Sequence, residues 1–263
     1  MFEAKHSLVA QSLSSPLGAE LVNGDGVGFG WYPNVDGDRG HPAMYHSIEP
    51  AWHEENLREL TRAIETPLFF GHVRAALAPP IQQTNCHPFR YGDWLFMHNG
   101  GLGHFPRVRR ELMVDVDPEL FPHIRGTTDS EVLFHLALTY GLQTDPIAAM
   151  ARAIRRIERA ADGHGIEGAM QGTVAVTDGS TIWCFRYSTI HHSRTLFYSV
   201  DIPTLQAMYP DFERLRTFGE TARVVVSEPL TDLPGAFVEV PESTVAILDV
   251  DGFREEPFLR DAA

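Results

Sequence analysis

Cysteine is scarce in this sequence. Cys86 and Cys184 are the only two in 263 residues, which rules out a disulfide framework, and no Cys-x-x-Cys spacing offers zinc or redox chemistry. The expectation is a reducing, cytoplasmic setting. Long apolar runs are missing as well: none approaches the roughly 20 residues a membrane-spanning helix needs, and Met1-Phe2-Glu3-Ala4-Lys5-His6 is neither a signal nor a transit peptide. Positive charge is the third shortage. Lys and Arg number 21 against 35 Asp and Glu, for a formal net charge of -14 with no basic cluster, so neither a nucleic-acid nor a membrane partner is expected and small-molecule chemistry is the default.

Familiar nucleophile and metal motifs are absent too. There is no Gly-x-Ser-x-Gly elbow and no His-Glu-x-x-His, and the 13 histidines, His191-His192 included, lack ligand spacing. No metal and no organic cofactor are expected. Glycine alternates through Asn23-Gly24-Asp25-Gly26-Val27-Gly28-Phe29-Gly30, but this run continues into Trp31-Tyr32-Pro33 instead of opening a helix, so it is no dinucleotide fingerprint. A period of two with glycine on one face predicts a strand that another backbone or a ligand crosses closely.

What the sequence does contain is ample apolar material, 43%, for one large domain over residues 1–263. Leu57, Leu60, Thr61 and Ile64 mark an amphipathic helix, and Leu68 to Val73 a strand ending at Arg74. Asn34 to Gly40 reads as a surface loop, and Pro79-Pro80 forces another. Thr128-Asp129-Ser130-Glu131 has capping-box spacing ahead of a stripe of Leu133, Leu136, Ala137 and Tyr140. A second helix starts at Asp145-Pro146 and buries Ile147, Met150, Ile154 and Ile157, leaving Arg152, Arg155 and Arg156 solvated. From Thr173 onward the pattern is strands: a hairpin through Asp178-Gly179, then Leu196–Val200, Arg223–Ser227, Ala236–Val240 and Thr244–Asp249. With no βαβ alternation and no internal repeat, the fold class is α+β, mostly antiparallel sheets with segregated helices.

The sequence centres on Trp94-Leu95-Phe96-Met97-His98-Asn99-Gly100, an apolar run that ends in Asn-Gly. The plain reading is a hairpin turn. The functional one is a buried strand delivering two donors, the Asn99 amide and the Gly100 N–H, which is the pair an oxyanion hole requires. Arg74 offers a planar fork for a carboxylate and Asp129 an acceptor for an ammonium, so together they suit an α-amino acid. Their plain readings are a surface cation and a favourable charge at a helix N-terminus.

The series Asn23 to Trp31, Gly71-His72-Val73-Arg74, Asn85-Cys86-His87-Pro88-Phe89, His98-Asn99-Gly100 and Thr128 to Glu131 resembles class II glutamine amidotransferases. These are N-terminal-nucleophile hydrolases, and the kinship is with the stand-alone branch that includes the γ-glutamyl amidohydrolase of ergothioneine synthesis. The resemblance implies a four-layer αββα sandwich, Asn99 and Gly100 as oxyanion hole, Arg74 on the substrate α-carboxylate and Asp129 on its α-amine. Asn23, Asp25 and His98 would line the site. It further implies a glutamine or γ-glutamyl substrate, with the ammonia either released or passed to an ammonia-accepting partner enzyme; an edge left unpaired by a missing first strand would in addition suit a homo-oligomer.

Two departures stand beside this. Family members carry cysteine directly after the initiator Met, its own amine serving as base, whereas here that position is Phe2. The pattern at His6-Ser7-Leu8 falls later in the family, which implies a late start without the first strand, and inactivity of the sequence as it stands. Ala76-Leu77-Ala78 replaces hydroxyl or imidazole groups that help hold the carboxylate in relatives. Cys86 reads as a packed thiol. Two functions remain open: an amidohydrolase whose nucleophile lies upstream, and a non-catalytic amino-acid sensor or scaffold.

Overall fold

The computed structural model describes residues 1–18, 20–35, 38–76 and 80–259. Five elements come first: α1 (Leu8–Leu13), β1 (Val27–Trp31), the paired β2 (Asn34–Val35) and β3 (Asp38–Arg39), and β4 (Ala43–Ser47). Next come α2 (Glu55–Ala63), β5 (Phe69–Val73), β6 (Phe89–Tyr91) and β7 (Trp94–Leu102), then three helices, α3 (Phe105–Val114), α4 (Asp129–Thr139) and α5 (Pro146–Gly163). The remainder is β8 (Met170–Thr177), β9 (Ile182–Ser188), β10 (Phe197–Ser199), α6 (Ile202–Met208), β11 (Val225–Val226), β12 (Phe237–Glu239), β13 (Thr244–Asp249) and β14 (Gly252–Pro257).

One six-stranded antiparallel sheet, ordered β14-β13-β9-β8-β7-β6, is the backbone of the fold. Period-two alternation gives it two different faces. Phe96 on β7 stacks on Phe134 of α4 with ring centres 4.9 Å apart, in a large apolar core shared with α3 and α5. Leu95 points the other way, into a small cluster with Tyr32 and Phe70 beneath the three-stranded sheet β4-β1-β5. That second sheet turns Val27 and Phe29 outward onto Leu57 of α2 and Val9 of α1. Helices, sheet, sheet, helices: the architecture is the αββα sandwich that the resemblance implies. A further three-stranded sheet, β11-β10-β12, packs through Leu196, Tyr198 and Val240 against Cys184 of β9 and Ala246 of β13.

Glycine sets the distance between the sheets. A Cβ on Gly28 would lie 1.7 Å from the His87 carbonyl oxygen, and one on Gly30 would lie 2.7 Å from Pro88. The strand is therefore crossed by the 86–88 segment, the close passage that its alternating glycines predict.

Several expectations need correction. Asn99-Gly100 is not a turn: β7 continues to Leu102, with Asn99 opposite Thr173 and Gly100 opposite Gly172 on β8. The Asn34 to Gly40 loop contains the β2–β3 pair, and its residues 36 and 37 lie outside the described residues, as do Leu77, Ala78 and Pro79 of the proline loop. In α4, every residue from Ser130 to Leu138 is buried, not one stripe, because α3 and α5 flank the helix while β7 lies beneath it. Arg156 is not simply solvated; it pairs with Glu111 (2.8 Å) and Asp115, joining α5 to α3. Ile147 is only partly buried, and the α5 face is completed by Ala149, Ala153, Ala160 and Ala161, whose small side chains allow close helix approach.

Candidate active site

The end of β7 and the start of α4 are tied together by Asp129. One carboxylate oxygen accepts the Leu102 N–H at 2.8 Å; the other accepts the Ser130 N–H at 2.8 Å. Thr128 caps the helix by accepting the Glu131 N–H at 3.2 Å. The capping box is only half formed, because the Glu131 carboxylate accepts from the Arg125 and Gly126 N–H groups instead of reaching back to the cap. The Asp129 side chain thus sits beside the strand that carries Asn99 and Gly100, with the Gly101 Cβ position 3.6 Å from it.

Gly100 has φ +150, and a Cβ there would fall 2.0 Å from the Gln171 carbonyl oxygen, so only glycine lets β7 and β8 approach this closely. Asn99 and Gly100 are both exposed, whereas His98 beside them is buried. His98 Nδ1 lies 3.0 Å from Ser130 Oγ, a contact that links β7 to the helix start a second time. Burial lowers the proton affinity of His98, and the Asp129 charge pulls it partly back.

At the end of β5, Arg74 is buried, 5% exposed, not a surface cation. Its guanidinium donates to the Asp25 and Pro80 carbonyl oxygens, each at 3.4 Å, and its own backbone exchanges hydrogen bonds with Gly26 and Asp25. Asp25 then accepts the Ala76 N–H at 2.7 Å, so Asp25 and Arg74 form one local unit. Asn23 is held by a backbone bond to Ser12 in the same connection. Half-buried His72 and buried His87 pack beside one another here. The His72 and His87 rings lie tilted by 37° with centres 4.4 Å apart, and burial, reinforced by the Arg74 charge, pushes His72 down to about 4. His87 is held well below the usual range by burial and by its neighbours His72 and His98.

Neither thiol is poised to attack. Cys184 lies sealed in the sheet, its thiol pushed up to about 12 by burial. Cys86 is buried 3.4 Å from the Ser47 carbonyl oxygen; burial raises its pKa and Arg74 offsets this in part. Among the described residues no group of three or more His, Cys, Asp or Glu could hold a metal ion, and no helix is long and apolar enough to cross a membrane. Ser130 was not legible as a site residue, since a serine after a helix cap is ordinary; its contact with His98 comes from the packing of α4 on β7.

Two facing antiparallel sheets between helix layers, with Asp129 at the start of α4 bonded to Leu102 at the end of β7, have the architecture of the N-terminal-nucleophile hydrolase type. Solved structures agree. The glutamine aminotransferase class-II domain protein from Silicibacter pomeroyi superposes with a TM-score of 0.71 at 32% identity, over 90% of this chain and 92% of that one. The glutamine phosphoribosylpyrophosphate amidotransferase of B. subtilis gives 0.63 over 97% of this chain and 46% of its own, at 16% identity, a likeness of fold alone.

The sequence model of class-II glutamine amidotransferases matches residues 4–244, and the chain belongs to that family. Probable glutamine amidotransferase DUG3 of Saccharomyces cerevisiae is 32% identical over 266 residues, spanning 91% of this chain and 74% of the yeast protein. The gamma-glutamyl-hercynylcysteine sulfoxide hydrolase of Mycolicibacterium smegmatis is 31% identical over 81 residues, 30% of this chain and 34% of its own length.

Proposed function

We propose that residues 1–263 form one amide-binding unit that acts on glutamine or a γ-glutamyl amide, with the α-carboxylate on Arg74, the α-amine on Asp129, and the reacting carbonyl oxygen between the Asn99 amide and the Gly100 N–H. Asn23, Asp25 and His98 line the same region. The observation that carries this reading is the bond from Leu102 N–H to the Asp129 carboxylate, which fixes an anion for an ammonium beside the strand offering the oxyanion donors. Such donors act best when held rigid before charge develops, and a nine-residue strand paired along its length provides that rigidity.

Acyl transfer also needs a nucleophile. Cys86 and Cys184 are buried and raised in pKa, so in this reading the cleaving thiol is one that residues 1–263 do not supply. Residues 1–263 alone are expected to release no ammonia from glutamine or γ-glutamyl amides. Joining a cysteine-led strand upstream should create the activity, and Asn99→Ala should then lower it about 10²- to 10³-fold. Ammonia release by residues 1–263 that is abolished by Cys86→Ala would overturn the nucleophile argument. Silence in both versions with ligand binding intact would favour an amino-acid sensor, the reading that two buried thiols also suit.

A further inference from the structure

One buried polar side chain in the sequence motifs has no place in that reading: Asn85, with 0% exposure, at the end of the short turn Gln83–Asn85. Its amide group is fully engaged. Oδ1 accepts the Thr127 N–H at 2.8 Å and Gln82 Nε2 at 3.1 Å, while Nδ2 donates to the Pro80 carbonyl oxygen at 2.9 Å and to Thr127 Oγ1 at 3.1 Å. The same Pro80 carbonyl accepts from Arg74 Nη2 at 3.4 Å. Thr127 stands two residues before Asp129. A continuous hydrogen-bonded path therefore runs from Arg74 through Pro80, Asn85 and Thr127 to the start of α4.

The contact between the two segments is also as close as backbone permits. A Cβ on Gly126 would meet Asn85 Oδ1 at 2.5 Å and the Thr84 carbonyl oxygen at 2.6 Å. Behind it, the Glu131 carboxylate accepts from both the Arg125 and Gly126 N–H groups, so the 125–127 loop is held from the helix side as well. A carboxamide accepts from one backbone segment and donates to the other at a single point, whereas a carboxylate only accepts and an apolar residue does neither.

We propose that Asn85 is a positioning residue that sets the separation of Arg74 and Asp129, and through it the selectivity of the site for ligands carrying an ammonium and a carboxylate on one carbon. The proposal rests on the binding roles given above to those two residues. A ligand that engages two anchors at once gains from their fixed spacing, because the second contact becomes intramolecular; a ligand that engages one anchor gains nothing from it.

That difference supplies the test. Affinities of glutamate, glutarate (no amine) and 4-aminobutanoate (no α-carboxylate) are measured by titration calorimetry on residues 1–263 and on Asn85→Asp and Thr127→Val. Thr127 is only partly buried, so the second variant keeps the test available if the first does not fold. Glutamate should weaken about tenfold in Asn85→Asp and about threefold in Thr127→Val, while glutarate and 4-aminobutanoate keep their wild-type affinities. Equal weakening of all three ligands, or of none, would overturn the positioning role. If instead wild-type protein binds glutamate no tighter than the two analogues, the anchor assignment itself fails and the proposal falls with it.

Discussion

The two faces of the six-stranded sheet are built on opposite principles. Toward α3, α4 and α5 the sheet presents large apolar side chains in one continuous core, with Phe96, Phe134, Leu133, Leu136, Met150 and Ile154 all sealed from solvent. Toward the second sheet the apolar cluster is small, the spacing is set by glycines, and the remaining volume holds half-buried His72, buried His87 and the buried Arg74. Hydrophobic burial thus stabilises mainly the helix side. The inter-sheet side spends stability on polar groups kept dry, which is where a binding site needs fixed charges and donors.

The largest effect that would sharpen this contrast is on the helix side. Phe134→Ala removes a fully buried ring from a packed core and should lower unfolding free energy by about 3 to 5 kcal/mol, read by urea denaturation, while glutamate binding by the remaining folded protein stays unchanged. Loss of binding in parallel with stability would mean that the two faces are not independent.

Acid should act on the other face. In the folded protein His72 is held at about 4, against about 6.5 for the free side chain. Above pH 6.5 both states leave it neutral and stability is undiminished. As pH falls from 6.5 toward 4 the unfolded chain takes up a proton that the folded chain refuses, so stability drops, by on the order of 3 kcal/mol from His72 alone. His87 and His98, both lowered by burial, add in the same direction. Unfolding curves at pH 7 and pH 4.5 should show this fall, and His72→Asn should make it smaller; an unaltered slope in that variant would exclude His72 as a source of the acid sensitivity.

The same contrast explains what the sequence made legible. Alternating glycines predicted a closely crossed strand because a missing Cβ is written directly in the residue type, and Gly28 and Gly30 meet His87 and Pro88 as expected. The hairpin at Asp178-Gly179 was equally local: Asp178 accepts from Ser180 and Thr181 N–H groups and Gly179 takes φ +87. Asn99-Gly100 misleads in isolation, since its turn preference is overridden by eight paired positions on β8. Helix α3 carries only Val108 and Leu112 as buried residues, too sparse a pattern to stand out. The burial of Arg74, the Arg156 pairs and the Asn85 link all depend on segments distant in the chain, so nothing in their immediate neighbours announces them.

In the proposed function Arg74 and Asp129, brought in from a strand end and a helix start, form one site for an α-amino-acid head. Titration calorimetry of glutamate against wild type, Arg74→Ala and Asp129→Asn tests it most directly. Each substitution should weaken binding by about 2 kcal/mol or more while the folded state persists. Full-strength glutamate binding in both variants would contradict it, and would return Arg74 and Asp129 to purely structural duty.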